Sequence, residues 1–241
     1  MKRLKITRYL QDPCCCAVAS CASAANYYNQ NINYESTKEL SKKISKAVFD
    51  EGLESSEMCL LLNKLGFNKV TLVTSIMGIV DYEWNNYGRK KIISVMEKSI
   101  AVKKTYEDKV STRLYLKWLK DNRYDNNIII SYDFGKYIRK HLKNGNPVVL
   151  SFNWTMFQRF AKAGAKNGEI DPFNGVSEDH AVVANGYDDK GVWIVDSHHQ
   201  CYKYKRKKYR RGFYKISWEN LMTCMGQGDV FLPEEYYLSN R

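Results

Sequence analysis

The chain has 241 residues, 44% of them apolar, with four prolines and a formal net charge of +12. Such a chain holds one large domain or two small ones, and its apolar share excludes a disordered or fibrous protein. No run of about 18 apolar residues occurs, which excludes a membrane-spanning helix, and the basic start Met1-Lys2-Arg3 lacks the apolar stretch of a signal peptide.

Small residues from Ala17 to Tyr28 predict a buried helix that stops at the Asn29–Asn33 turn. Ser36 to Lys46 opens with a capping pattern and sets Leu40 and Ile44 four apart, which predicts an amphipathic helix. Glu54 to Leu65 predicts a third, with Met58, Leu61, Leu62 and Leu65 on one face and Gly66 as its stop. Val70 to Thr74 is a strand candidate, and residues 76–127 are charged, mostly helical in pattern and without a clear place. Asp133 to Leu142 predicts a helix, followed by a strand over Val148 to Phe152. His180 to Tyr187 and Val192 to Val195 flank the turn signal Asp188–Gly191 and predict a hairpin. Tyr202 to Lys207 and Gly212 to Ile216 predict another. Trp218 to Met225 predicts a short helix, and Val230 to Leu232 a strand closing the sheet. Helices first and an antiparallel sheet second make an α+β fold, and no repeat or linker divides the 241 residues, so one domain is the simpler expectation.

Seven cysteines, three of them adjacent, argue against a disulfide framework and point to a reducing, cytoplasmic setting. Cys14, Cys15 and Cys16 stand ahead of the first helix, where the helix N-terminus lowers a thiol's pKa. The register favours Cys16 as a nucleophile, with Cys15 as the alternative. Cys21, Cys59 and Cys224 read as buried, inert hydrophobes. Cys14 to Cys16 with His198, His199 and Cys201 contain enough soft ligands for zinc. Adjacent residues rarely converge on one tetrahedral ion, though, and no Cys-x-x-Cys spacing occurs, so neither metal nor cofactor is expected.

His180 opens an apolar strand after a carboxylate pair, and can serve as a base for the thiol. The hairpin returns Asp196 towards it, where a carboxylate would hold the imidazole in its useful tautomer; the other reading of Asp196 is a turn residue. Gln11, upstream of the cysteines, can supply an oxyanion donor. His198 and His199 lie past the strand and read as exposed. The run from Tyr202 to Arg211 interleaves basic and aromatic residues, a pattern that can bind phosphates but that also suits a solvated hairpin. No nucleic-acid motif accompanies it, so nucleic acid is not the expected partner.

Gln11, then Cys16-Ala-Val-Ala-Ser-Cys closing on Asn26-Tyr27-Tyr28, resembles the nucleophile helix of papain-like cysteine peptidases, most of all the branch typified by double-glycine leader peptidases. Asp179-His180 with its apolar strand, followed by Val192 to Asp196, is similar to that family's histidine hairpin and orienting Asp. Gly52 to Phe67 resembles its third helix. The resemblance implies a papain-like α+β fold whose N-terminal helices carry the nucleophile against a C-terminal antiparallel sheet. It implies Cys16 as nucleophile, His180 as base, Asp196 as orienter and Gln11 as oxyanion donor, acting on a peptide or protein amide. Three positions depart from the family pattern: Gln11 lies one residue nearer the nucleophile, Ala17 stands for Gly, and Ser197 for Pro. Acyl transfer or deamidation would use the same residues. The rival of another class is a basic module that binds nucleic acid or an acidic surface beside an inactive cysteine. If the basic run flanks the cleft, it favours an acidic substrate.

Overall fold

The computed structural model describes residues 3–46, 48, 51–158, 171, 173–198 and 212–237. The first three helices are α1 (Cys16–Asn26), α2 (Tyr34–Lys42) and α3 (Ser55–Lys64). α2 begins two residues before the capping pattern predicted at Ser36, because Asn33 is the actual cap: its side chain accepts from Ser36 N while Ser36 returns a bond to Asn33. α3 opens on Glu54 and Glu57, which bond each other's backbone in the same reciprocal way. Strand β1 (Phe67–Thr74) follows, longer than its apolar centre. Residues 76–127 hold a 3-10 turn at Tyr82–Asn86 and the helices α4 (Arg89–Val102) and α5 (Tyr106–Lys120). Arg89 ties this region together by donating to the carbonyls of Leu119, Asp121 and Tyr124.

Strand β2 (Asn127–Ile130), helix α6 (Phe134–Lys143), strand β3 (Val148–Asn153) and the single turn α7 (Trp154–Gln158) come next. The chain then adds β4 (Asp179–Asp188), β5 (Gly191–Val195), β6 (Phe213–Ser217), α8 (Trp218–Cys224) and β7 (Asp229–Tyr236). The seven strands form one sheet in the order β2-β1-β7-β3-β4-β5-β6.

Two expectations are corrected by this sheet. It is not wholly antiparallel: β1 and β2 run parallel, because the crossover through α4 and α5 returns the chain in its original direction. The last strand does not close the sheet but lies between β1 and β3, and Val230, Phe231 and Leu232 are buried there as an interior strand requires. β6 pairs with β5, Val192 opposite Ile216. The run Tyr202 to Lys207 lies outside the described residues.

Alternation along the central strands feeds two cores. Val149, Val183 and Phe231 face one side, under α1 and α3 with Cys21, Met58 and Leu61. Leu150, Val182 and Val230 face the other, under α6 and α8 with Ile138, Leu142 and Leu221. A one-residue slip in any of these strands would exchange the two faces, so burial on both sides fixes the register. That register sets the ends of β4 and β5 beside the first turn of α1. No helix among the described residues is long and apolar enough to cross a membrane.

Candidate active site

The loop before α1 turns at Cys14, whose φ of 60° is in the left-handed region. Cys15 follows as the N-cap and is fully buried against Val18 and Tyr34, where burial pushes its thiol up. Cys16 is the first residue of α1 and only partly buried. Of the two thiols left open by the sequence, it is Cys16 that meets His180. Burial alone would raise the Cys16 thiol. The hydrogen bond and charge of His180, then the N–H groups of Ala181 and Ala17, outweigh that and hold it below the ordinary thiol value.

His180 is the second residue of β4 and is almost fully buried. Its Nε2 lies 2.9 Å from Asp196 Oδ1, which leaves Nδ1 as the ring atom for Cys16. Burial opposes the imidazolium, yet the charge and hydrogen bond of Asp196, with those of Cys16, hold His180 up to about 10. Asp196 has no solvent exposure at all, so its carboxylate depends on donors from the protein. Besides His180 it accepts from Tyr214 Oη at 2.6 Å on Oδ2 and from the His198 N–H at 2.8 Å on Oδ1. Burial would raise its carboxyl, and these three donors together bring it below the usual value. The bond from the His198 N–H, two residues on, is that of a turn residue; those from His180 and Tyr214 come in addition.

Gln11 is buried against the loop after Asp196 and lines the same cleft as His180. Its N–H donates to Ser197 O at 3.2 Å, and its Oε1 accepts from Ser197 Oγ at 2.7 Å. Holding the amide oxygen this way turns the amide nitrogen to the opposite side. The structure thus brings Cys16, His180 and Asp196 into one chain of contacts and fastens Gln11 beside it.

Several residues escaped sequence reasoning. Arg8 donates to the backbone carbonyls of Asp196 and His198, strapping the loop after β5 to the N-terminal segment. Tyr214 reaches Asp196 from β6. Trp154 covers the histidine, its ring centroid 4.3 Å from that of His180. His198, expected exposed, is half-buried with its ring 5.7 Å from Trp154. The only signal for Trp154 or Tyr214 was an aromatic next to a strand end, which does not distinguish them from core residues. His199 and Cys201 lie outside the described residues. Among the described residues no group of three or more His, Cys, Asp or Glu side chains could hold a metal ion. Cys21, Cys59 and Cys224 are buried, and burial raises the thiols of the first two.

These groups open into a cleft of about 930 Å³. One wall is the α3 N-terminus, a second is Ile76, Ile79 and one face of α5, and a third is Trp154 with the segment leading into β4. The region that the sequence left unplaced therefore supplies a wall of the cleft.

A buried histidine on a sheet, a thiol at a helix N-terminus and a carboxylate bonded to the imidazole are arranged as in a cysteine-peptidase-like α+β protein. The Peptidase_C39 like family model matches residues 3–224, and the chain belongs to that family, with its papain-like fold. Among solved structures the chain is similar to a double glycine motif protease from an AMS/PCAT transporter in complex with the leader peptide. Identity is 14%, coverage 96% of this chain and 94% of that one, and the TM-score 0.43. It is also similar to a C39-like peptidase from Bacillus anthracis at 14% identity, covering 98% and 100% of the two chains with a TM-score of 0.45. No curated protein matches the chain.

Proposed function

We propose that the protein hydrolyses an amide bond of a peptide or protein through a thioester on Cys16. The observation that carries this is the contact of an acidified Cys16 with a His180 held by Asp196, at the edge of an open cleft. The Cys16 thiolate attacks the amide carbonyl, forming a C–S bond and placing charge on the carbonyl oxygen. The Cys16 N–H at the start of α1 and the Gln11 amide donate to that oxygen. His180 gives its proton to the amide nitrogen as the C–N bond breaks, and the amine leaves. His180 then takes a proton from water as the hydroxide adds to the thioester; the C–S bond breaks and releases the acid. Asp196 touches no reacting atom. It is a positioning residue that keeps the His180 proton and ring plane in place. On this reading residues 1–241 work as one domain, with 76–127 as part of its binding wall.

The test is cleavage of a randomised peptide library, read by mass spectrometry, beside iodoacetamide labelling mapped to each cysteine. Cleavage lost in Cys16→Ala but kept in Cys15→Ala, with Cys16 labelled fastest below pH 7, is the expected result. Cleavage that survives Cys16→Ala overturns it.

A further inference from the structure

The chain carries 38 Lys and Arg against 26 Asp and Glu. Its cleft reverses that balance. Glu51, Glu54, Glu57, Glu178 and Asp179 line it, and no Lys or Arg does so among the described residues. The carboxylates stand on both sides of the nucleophile. Glu178 and Asp179 directly precede His180. On the other side, a Cβ at Gly52 would lie 3.1 Å from the Cys14 carbonyl, so the 51–54 loop packs on the turn that presents Cys16. Ser111 Oγ donates to Glu54 at 2.7 Å, and Lys117 on α5 exerts only a weak pull on Glu57. Among the described residues none of the five carboxylates forms an ion pair.

A second, separate feature lies under the same cleft. Asp229, 1% exposed, opens β7 opposite Thr74 on one side and Ser151 on the other. Ser55 Oγ donates to its Oδ2 and the Thr74 side chain supports the same carboxylate, but its Oδ1 has no hydrogen-bond partner of good geometry among the described residues. Ser55 and Ser151 both line the cleft, so this carboxylate sits behind the lining. A buried anion held by hydroxyls alone beneath an already acidic cleft is costly unless a cation comes to it.

We propose that the cleft selects a basic segment: the residue flanking the scissile amide is Lys or Arg, seated between Glu54 and Asp179 above Asp229. This inference rests on the peptidase reading and adds the substrate class to it. It is opposite in sign to what the basic run at 202–211 suggested. That run lies outside the described residues, and the cleft is the surface that meets the scissile bond. Low-dielectric walls focus such a field, so the effect falls on capture of the substrate more than on the bond-breaking step.

Three methanethiosulfonates test it, one with a quaternary ammonium, one with a sulfonate and one neutral, each rate at Cys16 read by peptide mapping and divided by its rate with free cysteine. The cationic reagent is expected to react about tenfold faster than the anionic one. The preference should collapse in about 1 M salt, where the Debye length is about 3 Å. It should shrink in the Glu54→Gln/Asp179→Asn protein and, separately, in Asp229→Asn. In the peptide library, cleaved bonds should be enriched in flanking Lys and Arg. Fast neutral labelling with no preference for the cation, or a preference that the double variant leaves intact, overturns the inference and spares the peptidase reading. Neutral labelling of Cys16 no faster than free cysteine below pH 7 removes the peptidase reading, and the inference with it.

Discussion

Replacing Asp196 by Asn should disturb the site far less than replacing it by Ala, because of where its donors lie. Oδ1 accepts from His180 Nε2 at 2.9 Å and from the His198 N–H at 2.8 Å. A backbone N–H can only donate, so an Asn must keep its carbonyl oxygen on that side. Its NH₂ then meets Tyr214 Oη, which can accept in place of donating. The tautomer of His180 survives, and only the charge is lost. A hydrogen bond to a charged group contributes about 1.5–3 kcal/mol and a neutral one about 0.5–1.5, a difference of about 1–2 kcal/mol. Since Asp196 supports the imidazolium and the imidazolium supports the thiolate, the Cys16 alkylation midpoint should move up by about one pH unit in Asp196→Asn. Asp196→Ala removes the acceptor that the His198 N–H and Tyr214 hydroxyl share and leaves the imidazole unheld. Its midpoint should rise by about two units or more, with turnover reduced by about 10³ or more, as when the triad's orienting contact fails. The assay is the pH profile of iodoacetamide labelling at Cys16, with thermal melts run in parallel. Equal shifts in the two variants would refute the argument that the His198 N–H pins the carbonyl, and no shift in either would remove Asp196 from the site.

Tyr214→Phe should cost about 1.5–3 kcal/mol in urea unfolding, because a buried carboxylate loses a 2.6 Å donor; a loss under about 0.5 kcal/mol would show that water replaces it. Asp229→Asn should change how stability depends on pH. Burial holds the Asp229 carboxyl up to about 6 against an ordinary 3.8, so the native state binds its proton more tightly than the unfolded state does. The contribution is full below pH about 4 and is lost as pH rises through about 6. The variant should therefore be about 3 kcal/mol more stable at pH 7.5 and have a flatter profile between pH 4 and 7; parallel profiles would refute this. Gly212→Ala should loosen the strap on the catalytic loop. Gly212 has φ +74°, and its Cβ would fall 2.3 Å from the Asp196 carbonyl and 2.1 Å from Arg8 Nε. A loss of about 1–3 kcal/mol and a raised Cys16 midpoint are expected, and wild-type values for both would refute it.

What the sequence disclosed of this site is what short-range pattern can carry. A small-residue helix behind Cys16, an apolar strand behind His180 and a tight turn between two strands are local signals, and the turn fixes a register. Val183 pairs with Val195, which sets Asp196 opposite Val182 and on the same face as His180. Sixteen residues apart in sequence, His180 and Asp196 were legible because one hairpin joins them. The remaining parts arrive by routes that no local pattern encodes. Arg8 comes from an N-terminal segment without regular structure, held along β4 by Leu4 N donating to Asn185 O at 2.7 Å and by Asn185 Nδ2 donating back to Leu4 O. Tyr214 comes from a strand beyond the basic run, and Trp154 from a single helical turn.

The same distinction explains the error over β7. An apolar triplet at Val230–Leu232 predicts a strand, but its neighbours depend on which edges β1 and β3 leave open after the chain between Thr74 and Asp229 is placed; closure entropy grows only slowly with loop length and does not choose among them. Its central position is functional as well as structural. Because β7 enters between β1 and β3, its first residue, Asp229, falls in line with Thr74, Ser151 and Ala181, the row that ends beside His180. An edge strand would have set that carboxylate in water, where it would titrate like any other. Placed in the centre, it is buried under the cleft, raised, and supported only by the hydroxyls of Ser55 and Thr74. The strand order therefore shapes the electrostatics of the cleft, and a carboxylate buried beneath it in a chain of net charge +12 follows from topology, where composition alone would have given the opposite sign.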